Sequence, residues 1–172
     1  MEDVKIFWGL FFHKKEKMCL AVSSKGLCYI LWPNEPFKIL EDWVKKHFPK
    51  ASLVHDETYT TNYAKQIEEY FKGLRQTFDI PLDLRGTPFQ KAVWQALLQI
   101  PYGTTKAYSE ISKMINRPKA VRAVGGAIGA NPIPIVVPCH RVIGKNGTLT
   151  GFGGGLKMKK ELLEIEGITI IE

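Results

Sequence analysis

The 172 residues predict an α+β amino-terminal domain over 1–85, a small antiparallel sheet with helices, followed over 86–172 by a mostly helical winged helix-turn-helix domain. Three observations carry this expectation. Short aromatic and β-branched runs give way to amphipathic helical patterns before residue 80. The Pro81-Leu82-Asp83-Leu84-Arg85-Gly86 stretch then breaks both periodicity and charge balance. Beyond it, helix, tight turn and helix follow one another within a strongly basic segment.

The charge break is sharp. The formal net charge is +7, but residues 1–85 hold 13 basic and 12 acidic side chains whereas 86–172 hold 11 and 5. Within 86–160 Glu110 is the one acid against 11 Lys and Arg. A solvated basic face would account for charge alone; so many cations with so few acids favour a surface that meets a polyanion such as nucleic acid. The composition, 45% hydrophobic and 24% charged, excludes disordered, collagen-like and coiled-coil chains. No apolar run approaches the roughly 18–20 residues needed to span a bilayer, and the Met1-Glu2-Asp3 start is acidic where a secretory leader is basic. The expectation is a soluble cytoplasmic protein with no membrane association. Cys19, Cys28 and Cys139 form no CxxC pair, so any thiol chemistry falls to single thiols in a reducing compartment.

In the first domain Ile6 to Phe12, Lys17 to Ser23 and Leu27 to Trp32 read as strands, with Ser24-Lys25-Gly26 as a hairpin turn. Phe37, Leu40 and Val44 mark one helical face; Ala64, Ile67, Phe71 and Leu74 mark another that stops near Gly73. Cys19 and Cys28 fall on neighbouring strands as small core residues. His13, His47 and His55 lie among Lys and Glu and read as surface residues rather than metal ligands. No metal site is expected.

The second domain opens with Thr87-Pro88-Phe89-Gln90, an N-cap, a Pro at the first helical position and a Gln at capping-box spacing. Phe89, Val93, Ala96, Leu97 and Ile100 give the apolar stripe of that helix, and a shorter helix follows around Tyr108, Ile111 and Ile115. Asn116-Arg117 turns the chain, and Pro118 can open a third helix. At 100° per residue Val121, Val124 and Ile128 fall within about 60° and face the core, leaving Lys119, Arg122, Ala123, Gly126 and Ala130 on a small, basic outer face. Gly125, Gly126 and Gly129 each cost about 1 kcal/mol of helix stability relative to Ala. Tight packing against the protein's own sheet would explain them, but that packing would use the Val-Val-Ile face, so close approach to another molecule is favoured.

Asn131-Pro132-Ile133-Pro134-Ile135-Val136-Val137-Pro138 cannot be helix and reads as a stiff apolar arm leading to Cys139. Val142 to Thr150, centred on Asn146-Gly147, reads as the hairpin of a wing. Leu156 to Glu166 gives a last helix with Leu156, Leu163 and the stem of Lys159 inward and Gly167 as its stop. A thiol of pKa about 8.5 is mostly protonated at pH 7, so a nucleophilic Cys139 needs a base or a positive field. His140, Arg141 and Lys145 can supply both, and one of Glu110, Glu161, Glu164, Glu166 and Glu172 would have to orient the imidazole. Taken alone, Cys139 reads more readily as a buried structural residue than as a nucleophile.

Pro138-Cys139-His140-Arg141-Val142-Ile143, preceded by Arg122-Ala123-Val124-Gly125-Gly126-Ala127 and Asn131-Pro132, resembles the signature of the O6-alkylguanine-DNA alkyltransferases. The resemblance also takes in Ile100-Pro101-Tyr102-Gly103-Thr104 and Leu162-Leu163-Glu164-Ile165-Glu166-Gly167. It implies a ribonuclease-H-like amino-terminal domain, no cofactor, and a monomer that binds double-stranded DNA containing alkylated guanine through the minor groove. By the same resemblance Cys139 takes the alkyl group irreversibly, once per molecule, with His140 as its base through water and Glu166 orienting His140. Arg122 would replace the extruded guanine. Tyr108 would push the adjoining phosphate and donate to guanine N3, and Asn131 would brace the turn before the active-site arm. Backbone groups of Cys139 and Val142, with the amide of Gly153, would hold the base edge, while Lys119, Ala123 and Gly126 would lie against DNA.

Gly153, and Gly151-Phe152 where relatives carry a bulkier, more polar pair, imply a roomy pocket; O4-alkylthymine stands as a second substrate class. The alternative is a non-catalytic winged-helix DNA-binding regulator in which Cys139 is structural.

Overall fold

The computed structural model describes residues 4–170, which leaves the Met1-Glu2-Asp3 start and Glu172 outside the described residues. Strands β1 (Lys5–His13) and β2 (Glu16–Ser23) pair antiparallel from Phe7↔Val22 to His13↔Glu16, and β3 (Gly26–Leu31) continues from β2. The sequence expectation missed β4 (Ser52–His55), which pairs parallel with β1 and gives the order β3-β2-β1-β4. The sheet is therefore mixed rather than antiparallel. Ser-Leu-Val-His is too short to show a period of its own, and its parallel partner lies some 45 residues upstream.

Both faces of the sheet are covered. Ile6, Cys19, Ala21, Cys28 and Leu31 pack with Leu40, Val44 and Phe48 from helix α1 (Phe37–His47) and its end. Helix α2 (Thr61–Phe71) lies on the other face, where the rings of His13 and Phe71 stack at 3.9 Å. Leu74 does not extend the buried stripe of α2. The helix has ended by then, Leu74 N–H and Gly73 N–H bonding back to Glu69 and Tyr70 carbonyls, and Leu74 is 73% exposed. The outer edge of β3 is closed by 81–83, with Leu27 N–H to Pro81 O at 3.0 Å and Asp83 N–H to Leu27 O at 2.8 Å. A Cβ on Gly26 would collide with the Pro81 carbonyl oxygen, so that crossing requires glycine.

The chain forms two compact units, Met1–Arg85 and Gly86–Glu172. In the second, helix α3 (Pro88–Leu98) starts with both halves of the capping box made: Gln90 N–H to Thr87 Oγ1 at 3.1 Å, and Thr87 N–H to Gln90 Oε1 at 3.0 Å. Strand β5 (Lys106–Ala107) leads into α4 (Tyr108–Met114) and then α5 (Val121–Gly129). The fully buried Trp94 ties α3 to α5 by donating Nε1–H to Ala127 O at 2.8 Å. Helix α6 (Leu156–Ile165) buries Leu162, Leu163 and Lys159, whereas Leu156 is exposed, contrary to expectation.

The expected wing hairpin is absent as a strand pair. Strand β6 is only Val142–Ile143 and pairs parallel with β5. The Asn146-Gly147 turn does form, closed by Gly144 N–H to Thr148 O at 2.8 Å, but the chain beyond it runs as a glycine-rich loop into α6. Gly151, Gly153, Gly154 and Gly155 offer no alternating side chains to fix a register.

Candidate active site

Helices α4 and α5 are joined by a tight turn. Asn116 takes φ 60°, and Arg117 N–H reaches Ser112 O at 2.9 Å, a Schellman closure that turns the chain sharply. Residues 117–120 turn rather than continue the helix, so α5 starts at Val121 and not at Pro118. Val124, Ala127 and Ile128 face inward; Val121, expected there, is the first residue of the helix and is 37% exposed. The outer face holds Arg122, Ala123, Gly126 and Gly129, all exposed; Lys119 is exposed on the turn before the helix and Ala130 at its C-cap. A Cβ added at Gly126 or Gly129 would meet nothing within 4 Å. The protein's own packing therefore gives no reason for glycine at either position.

The arm from Asn131 to Pro138 is buried but wound rather than extended. Around Ile135, at φ 75°, Val136 N–H bonds back to Pro134 O at 2.9 Å, a γ-turn of the strained, positive-φ kind that β-branched residues rarely adopt. A second, relaxed γ-turn follows at Pro138 (φ −80°, ψ 64°), where Cys139 N–H meets Val137 O at 2.7 Å. Asn131 holds this winding in place. Its Nδ2 donates to Val137 O at 2.9 Å and its Oδ1 accepts from Ile133 N–H at 3.0 Å.

Cys139 opens a one-turn 3-10 helix, Cys139–Arg141, and all three residues are buried. Burial pushes the Cys139 thiol up to about 11, while the Asn131 side chain, the Lys159 ammonium and local backbone N–H groups pull it back. His140 is 0% exposed, and its Nε2 lies 2.6 Å from Glu166 Oε2. A carboxylate only accepts, so Nε2 carries the hydrogen and the ring's lone pair is on Nδ1. Burial presses the imidazole below its ordinary value, Glu166 works the other way, and Arg141 and Lys159 add to the lowering; the net direction is toward neutral imidazole.

Glu166 is the hub of this cluster. It accepts from Arg141 Nε at 2.8 Å and Nη2 at 3.1 Å, and from Gly103 N–H at 3.0 Å, besides His140. Arg141 also donates from Nη1 to Ile100 O at 2.7 Å. Glu166 sits at the end of α6 because Gly167, at φ 81°, stops the helix there, with Ile168 N–H returning to Leu163 O at 2.9 Å. Of the other acids considered, Glu110 accepts from Ala107 N–H and Glu164 is exposed.

Lys159 was expected to bury only its stem; its ammonium is buried too. It donates to Val142 O at 2.7 Å and Thr150 Oγ1 at 3.1 Å, and burial lowers its pKa to about 8. The cation that acts on Cys139 is thus Lys159, while Lys145 lies exposed on the loop and Arg141 is committed to Glu166. Tyr108, half-buried at the start of α4, shares a 2.6 Å hydrogen bond with Thr150 Oγ1. The Val142 carbonyl, proposed to hold a base edge, already accepts from Lys159, and Gly153 is exposed on the loop before α6. Lysine on the inward stripe of an amphipathic helix, three and four residues before Leu162 and Leu163, was the one sequence sign of Lys159's importance; Thr150 and Trp94 carried none. No group of three or more His, Cys, Asp or Glu that could hold a metal ion is found among the described residues.

Residues 6–84 match the family model described as the ribonuclease-like domain of 6-O-methylguanine DNA methyltransferase, and residues 88–168 match its DNA binding domain. The chain is 50% identical over 161 residues to the inducible methylated-DNA–protein-cysteine methyltransferase of Bacillus subtilis (strain 168), covering 94% of this chain and 90% of that protein. It is 42% identical to the methylated-DNA–protein-cysteine methyltransferase of Methanosarcina acetivorans, covering 94% and 99%. Among solved structures, the Mycobacterium tuberculosis O6-methylguanine methyltransferase superposes with a TM-score of 0.81 at 40% identity, covering 94% of this chain and 92% of that one. A structure of the Mycobacterium tuberculosis protein in complex with DNA superposes with a TM-score of 0.80 at 40% identity, covering 93% and 92%.

Proposed function

The chain belongs to the 6-O-methylguanine DNA methyltransferase family, and from that premise we propose how its own residues divide the work of taking an alkyl group from O6 of guanine in double-stranded DNA. The activity is that of a methylated-DNA–protein-cysteine methyltransferase, an enzyme of direct-reversal DNA repair.

An O6-alkyl group inside a stacked duplex is out of reach of a buried thiol, so the base must leave the stack at a cost of a few kcal/mol. The exposed face of α5 is suited to approach the minor groove, its glycines and Ala123 keeping the surface low while Lys119 meets phosphate. Arg122 fills the space the base leaves, and Tyr108 donates to a ring nitrogen of the extruded guanine. Gly153 and the backbone of Cys139 and Val142 line the base edge.

Cys139 gives its thiol proton through water to His140 Nδ1, and the thiolate attacks the alkyl carbon. The S–C bond forms as the C–O6 bond breaks, and the proton returns to the departing guanine. Glu166 holds His140 in the tautomer this needs, and Asn131 fixes the winding that presents Cys139. The thioether product has no easy return to thiol, so each molecule acts once, as a monomer, in the compartment that holds the DNA; we place it in the cytoplasm. No helix among the described residues is long and apolar enough to cross a membrane.

The observation that carries this reading is the 2.6 Å His140–Glu166 bond one residue from Cys139, in the same unit as the exposed face of α5 that carries Arg122. The regulator alternative gives no reason for a buried, carboxylate-oriented imidazole beside a thiol. Cys139→Ser should bind an O6-methylguanine duplex with affinity within about twofold of the parent while removing no methyl group, as read by gel shift and by digestion of the recovered DNA. Repair by Cys139→Ser would contradict the assignment.

A further inference from the structure

The loop before α6 is pinned by a chain of polar atoms that runs from Lys159 through Thr150 to Tyr108. Lys159 Nζ, on a residue 1% exposed, lies 3.1 Å from Thr150 Oγ1, and Thr150 Oγ1 lies 2.6 Å from Tyr108 Oη. The first member fixes the polarity of one of these bonds. An ammonium has donors only, so Thr150 Oγ1 accepts from Lys159. Thr150 has one proton to give, and the acceptor within reach is Tyr108 Oη. A hydroxyl oxygen has two lone pairs, so the Thr150–Tyr108 bond admits either donor; with Thr150 donating, the phenol accepts on its inner side and keeps its own proton for an outer partner.

We propose that Thr150 is a positioning residue for Tyr108, relaying the fixed polarity of Lys159 so that the phenol proton faces the site of the extruded base. The relay rests on the reading of Tyr108 as a donor to that base. A hydroxyl that accepts a hydrogen bond is a stronger donor in turn, so the relay strengthens the bond to the guanine ring as negative charge develops there. It also explains why a cation is kept inside this domain. Lys159, at a pKa of about 8, is charged at pH 7 and cannot accept, so Thr150 cannot spend its proton on Lys159.

The test is a double-mutant cycle on the single-turnover rate of methyl transfer from an O6-methylguanine duplex, with duplex affinity measured in parallel. Thr150→Val keeps the shape and removes the hydroxyl; Thr150→Ser keeps the hydroxyl. The expected result is a loss of about five- to tenfold in transfer rate for Thr150→Val, in line with one hydrogen bond, with affinity unchanged and the rate restored in Thr150→Ser. In a Tyr108→Phe background Thr150→Val should cost nothing further. An equal loss in both backgrounds, or a loss shared by Thr150→Ser, overturns the relay and leaves Tyr108's own role standing. A Tyr108→Phe protein as fast as the parent overturns that role and the relay with it. A parent protein that transfers no methyl group fails at the level of the activity, and the parent reaction alone shows it.

Discussion

Glu166 holds two different partners to one purpose. Its carboxylate is buried with Arg141 as counter-charge and His140 as hydrogen-bond donor, so the imidazole sits beside a neutralised pair rather than a bare anion. Glu166→Gln would leave the Arg141 guanidinium buried without a countercharge, which costs about 3–5 kcal/mol. Urea unfolding of the variant should show a loss of that order, and a loss under about 1 kcal/mol would mean the cluster is not a coupled unit. The neutral state of His140 carries its own signature. Because burial holds its folded pKa below 6.5, only the unfolded chain takes up the proton as the pH falls through that value. Stability should therefore drop between pH 7 and 5.5, and His140→Gln should flatten that part of the urea-midpoint profile. Cys139, His140 and Glu166 were readable from sequence because the motif names them. That Arg141 grips Glu166 was not, since it depends on how a 3-10 turn aims successive side chains.

At the scale of elements, α5 joins a stable inner stripe to an outer face that sacrifices helix stability. Gly126 has no neighbour within 4 Å of a would-be Cβ, so Gly126→Ala should raise stability by up to about 1 kcal/mol through helix propensity alone. The same change should weaken duplex binding if this face meets DNA closely. A stabilised variant that binds DNA as well as the parent would remove the reason offered for these glycines. The caps of the helical domain were legible because they are local: Thr87 and Gln90 satisfy one another's backbone groups, and Gly167 ends α6. The wing was not. Asn146-Gly147 states a turn, but whether strands flank it depends on β5, some 35 residues upstream, taking β6 as its partner. The same limit hid β4, whose parallel pairing with β1 leaves no local mark.

The molecule as a whole separates its charge. The +7 total arises almost entirely after residue 85, in the unit that carries both the exposed face of α5 and the buried Cys139 cluster. That concentration was legible by counting, and it lies where phosphate contacts would be needed. The burial of Cys139 could not be counted, nor could the winding of the Asn131–Pro138 arm before it, which three prolines announce as non-helical without saying how it folds. The most direct measurement of the central claim is the mass of the peptide containing Cys139 after incubation with an O6-methylguanine duplex. This peptide should gain the mass of one methyl group, in amounts that rise with damaged duplex and stop at one per protein molecule. A Cys139 peptide of unchanged mass beside repaired DNA, or repair that continues past one event per molecule, would contradict that claim.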